Sequence, residues 1–277
     1  MTSVNRYDIA VAYRVYPGLS SVAEPFGLEK EQLARACLRS FRESLGPLRA
    51  RIWAILDGCP PVFGDMFRET FPAQDLTVEE LEGAGNVGTF ERQLDLLTGQ
   101  NDSAFVFLAE DDYLFRPNAF PALLEFLSTF PDADFVTPYD HPDYYRLGLT
   151  RPRCRVRVSG NCHWRTAGTT CLTFLTRRET LQATRDLFET YRRGNYDSSI
   201  WLSLTRHRVL NPMAMLSLAR KSRTLRVALG KAWIFGWRQI LFGKKRSLWA
   251  PMPSVATHLD EQGLASGYEW DSLLGRQ

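Results

Sequence analysis

The chain reads as an α/β protein, a β-sheet flanked by helices, and three observations predict that class. Apolar β-branched runs alternate with amphipathic stretches through residues 1–140. Turn residues punctuate every exchange: Pro17-Gly18, Gly46-Pro47 and Asp57-Gly58. Hydrophobic residues make up 44% and aromatics 12%, enough for a large core and too much for a disordered chain.

The elements follow in order. Tyr7 to Val15 is apolar enough for a buried strand. Leu33, Cys37, Leu38, Phe41 and Leu45 recur at helical spacing, so 28–45 is a helix. Arg51 to Leu56 is a second strand. A Pro-rich connection leads to a third strand at 76–81 and a helix at 88–98 with Phe90, Leu94 and Leu97 on one face. Ala104 to Ala109 is the most apolar strand. A helix from Asn118 to Phe130, opened by Pro117, precedes a short strand at 134–138. Strand, helix, strand in this order implies parallel pairing. Ligands of such sheets bind at the carboxyl ends of the strands. Arg14, Asp57 and Glu110-Asp111-Asp112 all follow such ends.

The second half is less regular. Residues 151–158 alternate basic and apolar, which predicts a half-exposed strand with one cationic face made by Arg151, Arg153, Arg155 and Arg157. Residues 169–176 look like its partner strand. Helices are expected at 177–191, 197–205 and 220–242, an extended stretch at 208–216, and loops from Pro251.

The 277 residues carry 34 Lys+Arg and 31 Asp+Glu, a net charge of +3 that hides a division. Residues 1–140 hold 11 basic and 22 acidic side chains, and residues 141–277 hold 23 and 9. From Ser198 to Leu259 there are 11 Lys+Arg and no acid, which points to an anionic partner. No run of 18 apolar residues suggests a membrane span, and the opening segment lacks a signal-peptide pattern. Five widely spaced cysteines are then expected to be reduced thiols of a cytoplasmic protein.

Glu110-Asp111-Asp112 is the strongest chemical feature. Adjacent carboxylates disfavour one another's ionisation. A divalent cation relieves that conflict, because Mg²⁺ and Mn²⁺ prefer carboxylate oxygens. The plainer alternative is a solvated acidic turn before the next helix. Asp197 opens a helix after Arg193-Gly194-Asn195-Tyr196, where it serves as a helix N-cap or as a base. The Cys154, Cys162, His163 and Cys171 spacing does not match a zinc knuckle.

A strand followed by Glu110-Asp111-Asp112, with Pro117 and an aromatic-rich helix behind it, resembles the DxD metal motif of GT-A-fold glycosyltransferases. The likeness extends over residues 6–140 in order: Asp8 to Arg14 resembles the first strand, Ile55 to Gly58 the second strand end, and Asn86 to Arg92 the Asn-x-Gly element of family-2-like members. It implies a Rossmann-like mixed sheet flanked by helices. It also implies a nucleotide-diphosphate-sugar donor (UDP- or GDP-sugar), Mn²⁺ or Mg²⁺, and a hydroxyl acceptor.

The resemblance assigns roles. Asp112 would hold the metal, with Glu110 and Asp111 facing the ribose and the metal's water shell. Asp57 would meet the base and Arg14 the base or phosphates. Asn86, Gly88 and Arg92 would belong to the donor site. Asp197 would take the acceptor's proton in an inverting reaction, although Ser198 stands where the family has a second acid. His258, in a Pro253-Ser254 segment near the C-terminus, would touch metal or diphosphate. Thr169 would lie under the donor sugar.

Residues 220–250 interleave Lys and Arg with Trp233, Phe235, Trp237, Phe242 and Trp249. Contact with an anionic membrane surface at its inner face, which suits a glycan or lipid-linked acceptor, and simple packing on the domain are the two leading readings. No nucleic-acid module accompanies the segment. On this division, residues 1–219 are catalytic, 220–250 are appended, and 251–277 complete the site. Rival readings are a nucleotidyltransferase, which lacks its phosphate loop after the first strand here, and a non-catalytic lipid- or nucleic-acid-binding protein.

Overall fold

The computed structural model describes residues 6–18, 28–146, 154–259 and 264–274. In chain order these form β1 (Ile9–Val15), α1 (Lys30–Leu45), β2 (Ala50–Asp57), α2 (Pro61–Thr70), β3 (Leu76–Leu81), α3 (Gly85–Gly99), β4 (Phe105–Glu110), β5 (Tyr113–Phe115), α4 (Ala119–Thr129), β6 (Phe135–Val136) and α5 (Asp143–Arg146). Then come β7 (Val156–Ser159), β8 (Cys162–Ala167), β9 (Phe174–Arg177), α6 (Arg178–Phe188), α7 (Asp197–Thr205), α8 (Pro212–Lys221), α9 (Arg223–Leu241), β10 (Leu248–Met252) and β11 (Ala256–His258).

Nine strands make one mixed sheet in the order β3-β2-β1-β4-β9-β6-β10-β8-β7, and β5 pairs with β11 beside it. The first four strands are parallel, as the sequence predicts. β9 then runs antiparallel between β4 and β6. Both faces are covered, so β1 is buried at every position and reads as a continuous apolar run. Its alternation still sorts the core. Ile9, Val11 and Tyr13 face a cluster under α1, α2 and α4 that includes Phe41, Phe107 and Phe120. The smaller Ala10 and Ala12 face Phe90, Phe174, Phe188 and Trp201 under α3, α6 and α7. Gln93 crosses this second layer fully buried. Its Nε2 donates to the carbonyls of Ala12 (2.7 Å) and Ala109 (2.9 Å), so α3 holds β1 and β4 together one turn below their carboxyl ends.

Several expectations are corrected. The Pro-rich connection contains α2. Pro61 occupies the first turn, where its missing N–H costs nothing, and Phe63, Met66 and Phe67 give the buried face. Residues 212–221 are helical rather than extended, opened by Asn211, whose side chain accepts from the Ala214 N–H at 3.0 Å. The partner of β7 is β8, not residues 169–176, and the segment after Pro251 includes strand residues of β10 and β11.

The basic strand also faces the other way. Arg151 and Arg153 lie outside the described residues, while Val156 and Val158 are 54% and 60% exposed. Arg157 turns inward. Its guanidinium lies 4.5 Å and 4.8 Å from the Phe130 and Trp249 ring centres and binds both Asp132 oxygens at 2.7 and 2.6 Å. Stacking plus a bidentate ion pair outweighs the weaker preference of Val for the interior at a sheet edge.

The acid-free segment is resolved into two faces. Leu225, Ala228, Leu229, Ala232, Gly236 and Ile240 of α9 pack inward, where Gly236 meets Ser203 of α7. A Cβ at Gly236 would come within 2.2 Å of the Ser203 hydroxyl, which explains the glycine. Ile234, Trp237, Leu241 and Phe242 are 70%, 43%, 47% and 79% exposed, alongside Arg223, Arg226 and Arg238. The helix is therefore both packed and outwardly apolar. Among the described residues, no helix is long and apolar enough to cross a membrane.

Candidate active site

The carboxyl ends of β1, β2 and β4 open into a cavity of about 470 Å³. Arg14, Asp57, Asn86, Glu110, Asp111 and Asp112 all line it, as the sheet topology requires. Lys30, Tyr16 and Thr89 join them. Gly88, Arg92, Thr169, Asp197 and His258 are not among the lining residues.

The three consecutive acids take three different partners. Glu110 pairs with Arg14 through one oxygen and accepts from the Thr173 hydroxyl, 2.6 Å away, through the other. Asp111 meets Lys30 Nζ at 2.6 Å and the Tyr16 N–H at 3.2 Å. Asp112 Oδ2 lies 3.0 Å from His258 Nε2. The register of β11 on β5, His258 opposite Tyr113, delivers that histidine from 146 residues away. The other Asp112 oxygen, Oδ1, is buried and accepts no hydrogen bond. Burial pushes the Asp111 carboxyl up to about 6, against the pull of Lys30. Burial also acts on Asp112, but His258, Lys30 and Arg14 together hold it below the ordinary carboxylate range.

Arg14 organises the neighbouring wall. Besides Glu110 it binds Asn86 twice, through the main-chain carbonyl at 3.0 Å and the side-chain oxygen. Asn86 Nδ2 donates to Tyr191 Oη at 2.9 Å. Asp57 accepts from the N–H groups of Ala84 (2.8 Å) and Gly85 (2.6 Å), so it fixes the start of α3 with both oxygens. That helix begins at Gly85, one turn earlier than its apolar face suggests, which places Asn86 in the cavity wall. Arg92 points to β3 and grips Glu79 at 2.7 and 2.8 Å. The Thr169 carbonyl accepts from Tyr144 Oη.

Asp197 stands in the first turn of α7. Tyr196 rather than Asp197 is the N-cap residue, and the Asp197 carboxylate accepts from the adjacent Ser198 N–H. Burial raises its pKa, and the charge of Glu110 raises it further, so Asp197 shares the electrostatic neighbourhood of the acidic triplet. Trp201, one turn on, is buried and donates its Nε1–H to the Cys171 carbonyl at 3.0 Å.

Lys30, Thr173 and Tyr191 are functional neighbours that sequence reasoning did not name. Thr173 lies four positions after Thr169, within the strand expected at 169–176. Lys30 carries no local signal, since a first-turn lysine looks like a solvated one.

Among the described residues no group of three or more His, Cys, Asp or Glu is arranged to hold a metal ion. Asp112 and His258 alone form a two-ligand O/N set, with a buried oxygen still lacking a partner. Such a set suits a Mg²⁺ or Mn²⁺ ion that takes its remaining ligands from water and phosphate oxygens.

No protein-family model matches this chain, and no curated protein sequence does. Among solved structures, it is similar to the galactosyltransferase LgtC in complex with donor and acceptor sugar analogs, at 11% identity over 71% of this chain and 69% of that one (TM-score 0.39). The mannosyltransferase PcManGT from Pyrobaculum calidifontis, in complex with GDP-Man and Mn²⁺, is similar at 14% identity over 83% and 70% (TM-score 0.42). Residues 1–349 of TarS from S. aureus are similar at 11% over 81% and 70% (TM-score 0.42).

Glu110 joins two strands and two buried partners, so its loss strands a cation. Glu110→Ala is expected to lower stability by about 3 kcal/mol, because Arg14 is left buried and unpaired. Urea unfolding of both proteins checks this. A difference within experimental error would mean that Arg14 reaches solvent instead.

Proposed function

We propose that this chain is a glycosyltransferase that moves a hexose-type sugar from a UDP- or GDP-sugar to a hydroxyl group of a glycan or lipid-linked acceptor. The observation that carries this reading is the Asp112–His258 pair, in which Asp112 lines the strand-end cavity beside Arg14 and Lys30 and keeps one buried oxygen without a partner. Residues 1–219 supply the donor and acceptor sites, and 251–277 complete them through His258. Asp112 and His258 would hold Mg²⁺ or Mn²⁺, which would neutralise charge on the departing diphosphate. Lys30 and Arg14 add fixed positive charge beside the cavity at no reorganisation cost, since Asp111 and Glu110 already hold them in place.

Asp197 is the base. It takes the acceptor hydroxyl's proton while the acceptor oxygen bonds to the anomeric carbon. The bond from that carbon to the diphosphate oxygen breaks, and the diphosphate leaves with the electron pair. Attack opposite the leaving group inverts the configuration. Burial suits Asp197 to the task, because a raised pKa makes the carboxylate a better proton acceptor.

The outer face of α9 supports a further element, peripheral contact with an anionic membrane. Ile234, Trp237 and Leu241 stand at three- and four-residue spacing among arginines, with Phe242 at the helix end, which suits the headgroup boundary.

Four measurements test these assignments. A thermal-shift panel of nucleotide sugars is expected to show stabilisation by a UDP- or GDP-sugar that requires Mn²⁺ or Mg²⁺ and disappears in Asp112→Ala. Retained metal-dependent binding in that variant sinks the metal assignment. Asp197→Asn should keep donor binding and lose at least about a hundredfold in turnover. In the wild type, turnover should fall on acidification through a pKa above the ordinary 3.8 of aspartate, since the base must be ionised and its folded pKa is raised. An unchanged rate in Asp197→Asn, or an acid limb at or below 3.8, removes Asp197 as the base. Replacing Ile234 and Trp237 by Ser should cut flotation with anionic vesicles by about tenfold or more. Equal flotation would leave α9 as a packed helix only.

A further inference from the structure

A second cavity, of about 640 Å³, lies at the other end of the sheet. Its walls include Ala167 and Leu248, which pair with each other, and Leu248 also pairs with Phe135. Phe135 pairs with Thr176, and Thr176 with Val106 near the start of β4. The cavity is therefore level with the amino end of β4, whereas Glu110 and the candidate active site stand at its carboxyl end.

Five cationic side chains line this cavity: Arg155, Arg206, Arg208, Lys245 and Arg246. No Asp or Glu does. Arg246 is paired with Asp134 at 2.8 Å. Among the described residues, no ion pair involves the other four. Arg206 Nε is buried with no acceptor, although Nη2 of the same group reaches the Gln239 and Gly243 carbonyls. Gathering four unpaired cations around one cavity costs repulsion, which an anion in the cavity removes. His207 adds no charge of its own. Its burial, with Arg208 and Lys245 nearby, pushes its pKa down to about 4.

The backbone shows the same bias. Arg206 and Arg208 both adopt left-handed conformations, at φ 52° and 59°, where non-glycine residues are uncommon. The turn they form places both arginines in the cavity wall. Guanidinium groups match phosphate oxygens through paired N–H donors, and they are preferred for that role over isolated ammonium groups.

We propose that this cavity is a second ligand site, separate from the donor site, that binds a phosphate group, whether borne by a lipid headgroup or by a soluble phosphate compound. Arg206, Arg208 and Arg155 supply the guanidinium donors and Lys245 guards the rim. The C-terminal half of α9 leads from Lys231, which reaches the Gly194 carbonyl, to this cavity, where the carbonyls of Gln239 and Gly243 meet Arg206.

The test uses the full chain and inorganic phosphate, titrated calorimetrically against chloride at matched ionic strength. The double variant Arg208→Asn with Lys245→Ser changes only side chains that are exposed or half-exposed, and Asn tolerates the left-handed backbone. An unchanged thermal midpoint confirms its folding. Wild-type protein should bind phosphate in preference to chloride, and the variant about tenfold or more weakly. No preference for phosphate in the wild type, or equal phosphate affinity in both, overturns the site. Sedimentation with phosphatidylcholine vesicles with and without phosphatidylglycerol then names the source. Weaker sedimentation of the variant with the anionic vesicles assigns the phosphate to a lipid headgroup. Equal sedimentation alongside weakened phosphate binding assigns it to a soluble compound.

Discussion

The ion pair between Arg14 and Glu110 is the constraint on which the site depends. It joins the carboxyl ends of two adjacent parallel strands, and its two partners occupy opposite positions in the register of β1 and β4. Both groups are largely removed from water, so neither could be tolerated alone. Because Glu110 also accepts from Thr173, the pair reaches the entry to β9, and because Arg14 binds Asn86, it reaches α3. Four elements converge on one guanidinium–carboxylate contact. Gln93 repeats the same strapping one turn deeper with neutral groups.

That contact also explains how three successive acids can coexist without a cation shared among all of them. Glu110 is neutralised by Arg14 and Asp111 by Lys30, each in its own direction. Only Asp112 keeps a buried oxygen without a partner, and His258 holds the other. The triplet is therefore not a chelating cluster. Two of its members fix cations in the cavity wall, and the third keeps one buried oxygen unsatisfied. A reading in which all three carboxylates serve the metal equally would leave Arg14 and Lys30 without their buried counter-charges.

Much of this was legible in the sequence, for a physical reason. The parallel half of the sheet is buried on both faces, so its strands are apolar throughout, and their ends announce themselves where polar residues begin. Arg14, Asp57 and Glu110 were located that way. The second half was harder because its decisive contacts are not periodic. Arg157 lies inside while Val158 lies outside, through an ion pair and two aromatic rings that no local pattern encodes. Residues 212–221 carried the helix signal of Asn211-Pro212, yet Met213 and Leu216 are exposed, so the apolar spacing suggested no inward face. Lys30 and Thr173 were invisible for a third reason, since their roles exist only once chain segments 81 and 63 residues from the acids they meet are brought together.

The division of charge along the chain now has a place in space. Glu110, Asp111 and Asp112 of the first half gather at the carboxyl end of the sheet, where Arg14, Lys30 and His258 meet them. The acid-free second half contributes its cations to α9 and to the opposite end of the sheet, where Asp134 satisfies Arg246 but reaches few others. The two ends thus differ in what remains unmet. One end is left with a single buried carboxylate oxygen, a demand for a cation. The other is left with several guanidinium and ammonium groups, a demand for anions. The net charge of +3 sums all charged side chains of the chain and so reports neither end, because the sheet holds the two sites at opposite ends of its strands.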